Sequence, residues 1–264
     1  MMFASDLDRT LIYSKRAMEE YSLVDELELI AVERKEEKEV SFMSKKALDY
    51  LGKLSSKLMF VPVTTRSLSQ YKRVSFQGIV HKYAVTTNGA IILYNGNQLS
   101  EWNEKISKEI RSTSVSMGEL VDLLLGHFTI DGDLRFVEER FVYYYLEKDI
   151  TPELLSEVTK FSEEKGWRVS LQGKKLYFVP RPLSKGSAIK YIQEREGIST
   201  LIGAGDSLLD DDFLQFCQHP FVLGHGELNR YPLKEHYNVI EQLGVKGGEE
   251  LLKSIHAILE NEQS

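Results

Sequence analysis

Cysteine is nearly absent: one residue of 264, Cys217, carries a thiol. A lone thiol excludes an intrachain disulfide and a thiolate zinc cluster, and it makes a reducing cytoplasm the expected compartment. A basic surplus is missing as well. The net charge of −7 excludes a general nucleic-acid binder, which carries a basic face. An anionic ligand is compatible only where Lys, Arg or a cation reverses the field locally. Long hydrophobic runs are lacking too. "LMFVPV" and "VDLLL" are far too short to cross a bilayer, so no membrane partner is expected. Asp6 and Asp8 interrupt the N-terminus before an apolar signal-peptide core could form, so none is expected. No internal repeat or low-complexity tract is present. What remains, at 42% hydrophobic residues, is enough to bury a substantial core in one large domain or two modest ones. A monomer or weak homodimer is the expected state.

The opening "MMFAS" predicts a short buried strand running into a polar loop. In "LELIAVERKEEKEVSFM" two partly apolar arms flank the charged centre Glu33 to Glu39. That pattern fits a hairpin with a solvated tip, or a single charged helix. Ser44 then suits the N-cap of a helix with Ala47, Leu48, Leu51 and Leu54 on one face. "KLMFVPVTTRS" predicts a second buried strand, followed by a helix from about Leu68. "KYAVTTNGAIIL" predicts strand, polar break and strand. Alternating strands and helices are the signature of a parallel sheet with crossover helices.

From Trp102 the character changes. Helical patterning over 103–126, a turn at Asp131-Gly132-Asp133 and a hairpin about Glu138–Arg140 come first. A helix from Thr151-Pro152 to Gly166 and two strands joined around Gly173-Lys174 follow. Helix pairs with antiparallel strands predict a separate α+β module over residues 91–181. The parallel-sheet pattern then resumes, with a helix from Ser184 to Glu196, a strand in "STLIGAGDS", a helix in "LLDDDFLQFC" and a strand in "PFVLGHG". A C-terminal helix carries Leu251, Leu252, Ile255 and Leu259. The expected architecture is an α/β core, residues 1–90 and 182–264, interrupted by that module.

Four segments fall at the C-terminal ends of predicted core strands: "DLDRT", "VTTRS", "PLSKGSA" and "GAGDSLLD". In open α/β sheets ligands bind at that edge. Residues i and i+2 of an extended segment point the same way, so Asp6 and Asp8 can face one spot. A carboxylate can attack phosphorus, and its neighbour can protonate the departing oxygen and then activate water. Asp6 is assigned as nucleophile and Asp8 as general acid/base. The same spacing also suits an Asx-turn begun by Asp8 and capped by Thr10. Asp206 and Asp210 follow two glycines. Ser207-x-x-Asp210 fits a capping box, which accounts for Asp210 and leaves Asp206 without a structural role. Carboxylates meeting at one strand edge need a cation, and oxygen ligation suits Mg²⁺. A dinucleotide-type loop is the weaker reading of "GAGDS", which lacks the third glycine. Lys185 at a helix start can seat a phosphate oxygen, or can be a solvated surface lysine. Thr64 and Thr65 can hold phosphate, or simply end a strand.

These segments resemble the four motifs of the haloacid dehalogenase superfamily phosphatases: DxDxT, a Thr or Ser after the second core strand, a Lys, and an acidic GDxxxD. Here they are Asp6 through Thr10, Thr64, Lys185, and Gly205-Asp206 through Asp210. Order and spacing agree over almost the full length. "TTNGAIIL" and "VPRPLSKGSAI" resemble the segments entering and leaving the C2B-type cap of the class IIB, Cof-like and sucrose-phosphate-phosphatase-like enzymes. The resemblance implies a Rossmann-like parallel-sheet core with an inserted α+β cap. It implies a Mg²⁺-dependent phosphatase acting on a small phosphorylated metabolite, a sugar phosphate among the choices, through an aspartyl-phosphate. Asp6, the Asp8 carbonyl and Asp206 would ligate Mg²⁺, with Asp210 in support. Thr64, the Thr65 amide and Lys185 would hold the phosphoryl group, and Asn88 and Gly89 would sit near the leaving group.

Three positions depart from the pattern. Arg9 stands for the usual Gly, Thr65 for the Gly of Thr-Gly-Arg, and Leu209 for an Asn. A phosphomutase and a catalytically weak phosphate-binding protein are the rival readings. His225 and Cys217 are expected to be structural, and Trp102, Trp167 and Tyr143–Tyr145 to pack the module or line its ligand surface.

Overall fold

The computed structural model describes residues 1–21 and 27–261. They divide into two compact units, Met1–Gln98 with Lys185–Ser264, and Leu99–Ser184. The first unit begins with β1, Met2–Ser5, buried along its whole length. Next come β2, Tyr13–Ser14, and the single-turn α1, Lys15–Glu19, capped by Ser14. The charged stretch forms a hairpin of β3, Leu29–Lys35, and β4, Lys38–Ser44. Its tip is exposed, but Glu33 is not part of that tip: it is 1% exposed. Ser44 caps α2, Lys45–Ser55, through the Ala47 amide, and Ala47, Leu48, Leu51 and Leu54 are its buried face.

β5, Met59–Pro62, leads to α3, Leu68–Tyr71, a single turn closed by a Ser67/Gln70 capping box. β6, Tyr83–Thr86, β7, Ile91–Tyr94, and β8, Asn97–Gln98, form an antiparallel sheet. The sequence reading breaks the core at residue 90. Pairing of β7 with β6 keeps both strands, and β8 with them, in the first unit.

In the second unit the helical patterning of 103–126 resolves into two helices, α4, Ser100–Thr113, and α5, Met117–His127. Ser116 caps the second through the Glu119 amide. β9, Gly132–Val137, and β10, Phe141–Leu146, pair about residues 138–140. The predicted turn at 131–133 is instead the start of β9, where Gly132 lies opposite Leu146. α6, Pro152–Glu164, has Thr151 as cap and Pro at its first turn. β11, Trp167–Gln172, and β12, Lys175–Pro180, complete an antiparallel sheet of order β11-β12-β10-β9. Trp102 and Trp167 are core residues of this unit, the Trp167 indole donating to the Val115 carbonyl at 2.9 Å.

The chain returns to the first unit with α7, Lys185–Glu196, and β13, Leu201–Gly205. α8, Asp211–Leu214, is far shorter than the 208–217 pattern predicts, and Cys217 lies beyond it, buried against Gly203. β14, His219–Leu223, β15, Asn238–Ile240, and α9, Gly244–Asn261, end the unit. Leu251, Leu252, Ile255 and Leu259 of α9 are buried. Among the described residues no helix is long and apolar enough to cross a membrane.

The main sheet is parallel, with order β15-β14-β13-β1-β5. The chain leaves β1 toward β5 on one side and returns through β13 and β14 on the other. The order therefore reverses between β1 and β13, which is where open α/β sheets gather their ligands.

Candidate active site

Asp6 follows β1 directly, and its amide still donates to the Ala204 carbonyl of β13 at 2.9 Å. That register carries the Asp6 carboxylate to the sheet edge beside Asp206, the first residue after β13. Asp210 arrives from the same loop. Carboxylate oxygens of Asp6, Asp206 and Asp210 all lie within 4.8 Å of one another, and all three residues are buried. Gly205 makes the approach possible: a Cβ there would lie 2.4 Å from the Asp210 Cβ.

Lys185, the first residue of α7, is 1% exposed, so it is no surface lysine. Its ammonium lies 2.6 Å from Asp6 Oδ1 and 2.6 Å from Asp210 Oδ1. The other Asp210 oxygen accepts from the Asp206 amide, the Ser207 amide and the Ser207 hydroxyl at 2.8–3.1 Å. Asp210 thus anchors both Lys185 and the Asp206 loop. The expected Ser207 cap is absent, because α8 begins four residues later and the Asp210 carboxylate closes the turn itself.

Burial governs the charge states here. Removed from water, Asp6 is pushed up to about 7, the Lys185 charge offsetting part of the effect while Asp210 and Asp8 add to it. Asp206 is raised by burial and then by the charges of Asp6 and Asp210. Burial alone would push Lys185 down, but Asp210 and Asp6 hold it above the usual lysine range. One buried cation faces three carboxyl groups. A divalent ion with oxygen preference relieves the remaining repulsion, so the donor set fits Mg²⁺.

Asp8 does not close an Asx-turn. Arg66 donates to both of its oxygens, Nε to Oδ2 and Nη2 to Oδ1, each at 2.7 Å. The Thr10 hydroxyl instead points to Asp6 Oδ2 at 3.4 Å. Thr64, buried at the end of the β5 segment, accepts the Arg66 amide on its hydroxyl at 3.1 Å. Its carbonyl accepts the Asn88 amide at 3.0 Å, and the Arg66 carbonyl accepts the Thr87 amide at 2.7 Å. The loops carrying Thr64, Thr65 and Asn88 are therefore zipped together. Thr87, Asn88 and Gly89 are left-handed in succession, at φ 53°, 54° and 96°. Such backbone is costly for a β-branched residue and clusters at functional sites. Asn88 is 1% exposed, and neither polar atom of its amide has a hydrogen-bond partner. Buried polar groups are normally hydrogen-bonded, so this amide stands out among the residues of the loop.

Arg9 is also left-handed, at φ 64°. Glu20 lies 2.9 Å from its guanidinium, Tyr21 accepts from it, and Asp206 is 3.8 Å away. The Gly244 amide donates to His225 Nδ1 at 3.2 Å, which leaves the proton on Nε2 to be donated to the Arg9 carbonyl at 2.7 Å. Burial keeps the His225 ring below the ordinary histidine range. His225 is thus a fixed strut for the Arg9 loop. Leu209 is buried.

Arg66, within "VTTRS", is given no role by the sequence pattern, and Glu33 belongs there to the expected solvated tip. The Thr-Gly-Arg pattern marks the position of Arg66 but not its partners; only the fold brings it to Asp8 and Glu33.

The family model for sucrose-6F-phosphate phosphohydrolase matches residues 1–231. No curated protein matches. Among solved structures, the sucrose-phosphatase of Synechocystis sp. PCC6803, in complex with sucrose and phosphate, superposes at TM-score 0.69 with 15% identity, covering 97% of each chain. YhjK of Bacillus subtilis, a haloacid dehalogenase-like hydrolase protein, gives 0.55 at 19% identity over 96% of this chain and 90% of its own. The C-terminal domain of C. albicans trehalose-6-phosphate phosphatase gives 0.57 at 13% identity, covering 97% and 92%. The structures agree in fold; the family match extends from Asp6 through the Asp206 loop, and by it the chain belongs to the sucrose-6F-phosphate phosphohydrolase family of haloacid dehalogenase phosphatases, which are phosphoric monoester hydrolases.

Proposed function

We propose that this chain hydrolyses a phosphorylated sugar in two steps through a phosphoryl group carried on Asp6. The observation that carries the reading is the pairing of buried Lys185 with both Asp6 and Asp210, 2.6 Å each, at the reversal point of the sheet. Asp6 attacks phosphorus, and the ester P–O bond breaks. Asp8 gives its proton to the departing sugar oxygen. Water then attacks the same phosphorus, losing a proton to Asp8, and the Asp6–phosphorus bond breaks to release inorganic phosphate and free Asp6. Lys185, Thr64 and the Thr65 amide hold the phosphoryl oxygens. The Asn88 amide and Gly89 backbone face the sugar.

Mg²⁺, held by Asp6, the Asp8 carbonyl and Asp206 with Asp210 behind them, would neutralise phosphoryl charge and keep Asp6 ionised. The sugar class rests on the family and on the neighbours named for sucrose and trehalose phosphates. Release of inorganic phosphate from sucrose and trehalose 6-phosphates, with Mg²⁺ and with EDTA, tests this reading. Hydrolysis should need the metal and vanish in Asp6→Asn. Turnover retained in Asp6→Asn, or a phosphate isomer in place of free phosphate, would overturn it.

A further inference from the structure

The hairpin of β3 and β4 holds a buried carboxylate that the two-step reaction leaves unused. β3 should alternate inward and outward side chains. It does not: Val32 and Glu33 are both buried in succession. The ladder with β4 shifts register between Ala31 and Glu33 and again between Glu33 and Arg34. Such a bulge re-aims a side chain, and bulges gather beside active sites. Here it turns Glu33 inward. The Ser75 amide donates to the Val32 carbonyl at 2.7 Å and Glu33 pairs with Val74, fixing the bulged strand against the segment that follows Arg66.

Both oxygens of Glu33 are committed. Oε2 accepts the Ser41 hydroxyl at 2.6 Å and lies 2.9 Å from Arg66 Nη1. Oε1 accepts from Arg73, with Nε at 3.1 Å and Nη2 at 3.0 Å. Arg66 is thus gripped from two sides. Its Nη1 lies 2.9 Å from Glu33 as a charge contact without hydrogen-bond alignment, and its Nε–Nη2 edge donates to both oxygens of Asp8. A guanidinium is planar, so an opposite charge placed behind it biases the direction of the opposite edge. A buried ion pair adds little net stability once its desolvation is counted, so stability alone does not explain a carboxylate sealed at this place.

We infer that Glu33 is a positioning residue for the acid/base step: by holding Arg66 from behind, it fixes the fork that orients the Asp8 carboxylate toward the ester oxygen. This deepens the proposed function and rests on Asp8 acting as the acid. The two failures can be told apart, because one arm of the test needs no turnover.

That arm reads the Arg66 Nε–H signal by nitrogen-edited NMR, assigned by its loss in Arg66→Lys. In the wild type the bidentate bond to Asp8 gives a shifted, slowly exchanging signal. In Glu33→Gln, which keeps shape and removes charge, exchange should quicken about tenfold as the fork loosens. An unchanged signal overturns the inference. The kinetic arm compares kcat/KM, which reports only the first step, for a sugar phosphate and for p-nitrophenyl phosphate. The sugar oxygen needs a proton to leave, whereas nitrophenolate does not. Glu33→Gln should lower the sugar phosphate value about tenfold and the aryl value less than twofold, within the range that general acids contribute. An equal loss for both esters means a structural role and overturns the inference. Should Glu33→Gln not fold, as judged by circular dichroism, Glu33→Asp keeps the charge and should give smaller changes in the same directions; no change in either arm counts against it. A wild type that hydrolyses neither ester sinks the proposed function, and the NMR arm then decides whether Glu33 sets the fork.

Discussion

Arg66 meets Asp8 fork to fork, with Nε and Nη2 each 2.7 Å from a carboxylate oxygen. A pair of parallel charge-assisted bonds fixes both the position and the plane of the carboxylate. The Asp8 side chain is nearly half exposed, so packing does not orient it, and the fork must. Lysine is a point charge that reaches one oxygen at a time. Arg66→Lys is therefore expected to lower kcat by about tenfold to a hundredfold while changing KM little, a fraction of what acid/base groups supply. Steady-state kinetics on a sugar phosphate check this.

Arg9 is a charged residue where the backbone asks for glycine. Its φ of 64° strains any residue with a Cβ. Its guanidinium lies 3.8 Å from Asp206 and competes electrostatically with a divalent ion at that carboxylate. Arg9→Gly relieves the strain and removes the charge, but it loses the Glu20 and Tyr21 partners. The half-exposed setting screens the charge, so Mg²⁺ affinity should tighten only about threefold to tenfold, while Tm shifts little. Calorimetric titration of Mg²⁺ into both proteins decides it; weaker binding in the variant would mean that Arg9 holds Asp206 in place.

Gly186 lets α7 approach the segment before Phe213. A Cβ there would meet the Asp212 carbonyl oxygen at 2.1 Å and its carbon at 2.7 Å, and that backbone cannot yield as a flexible side chain could. Gly186→Ala must displace the start of α7, where Lys185 sits. Tm should fall by an amount corresponding to about 1–3 kcal/mol, as overpacked cores do, and turnover should fall with it. Thermal melts and kinetics on the same preparation test both effects.

Three of the four motif segments reach one edge because each follows a strand of the parallel sheet, and those strands are written in the sequence as short apolar runs such as "MMFAS" and "LIGAG". The fourth, expected at a core strand end, instead follows β12 of the second unit's antiparallel sheet and brings Lys185 in at the start of α7. That much of the site is local. The Ser44 and Thr151 caps and the buried face of α2 are equally legible, because each depends on spacing within one turn or helix. The meeting of Glu33 and Arg66 is not legible, since it depends on a bulge and on packing between segments 33 residues apart. Charge content made residues 33–39 look solvated throughout; the bulge turns one of those charges inward. α8 failed for a related reason. Its acidic residues suit a helix start, but the Asp210 carboxylate is spent on the Asp206 and Ser207 amides, and that turn delays the helix.

The raised carboxyl groups make stability depend on pH in a direction opposite to most acidic residues. Asp6 sits at about 7 in the folded metal-free chain because of burial, and Asp206 is also raised. In the unfolded chain an aspartate titrates near about 4. Between those values the folded state holds a proton that the unfolded state has released. For Asp6, linkage then requires stability to fall as pH rises from about 4 to 7, with its full penalty present above 7. The raised Asp206 acts in the same direction. An ion bound only to the folded state offsets that penalty by mass action. The EDTA-treated wild type should therefore melt lower at pH 8 than at pH 5, and Mg²⁺ should raise Tm more at pH 8. Asp6→Asn, neutral at every pH, should melt above the metal-free wild type at pH 8 and show a shallower dependence. Equal slopes for the two proteins would mean that Asp6 already carries its charge without cost, and that the buried Lys185 contact alone neutralises it.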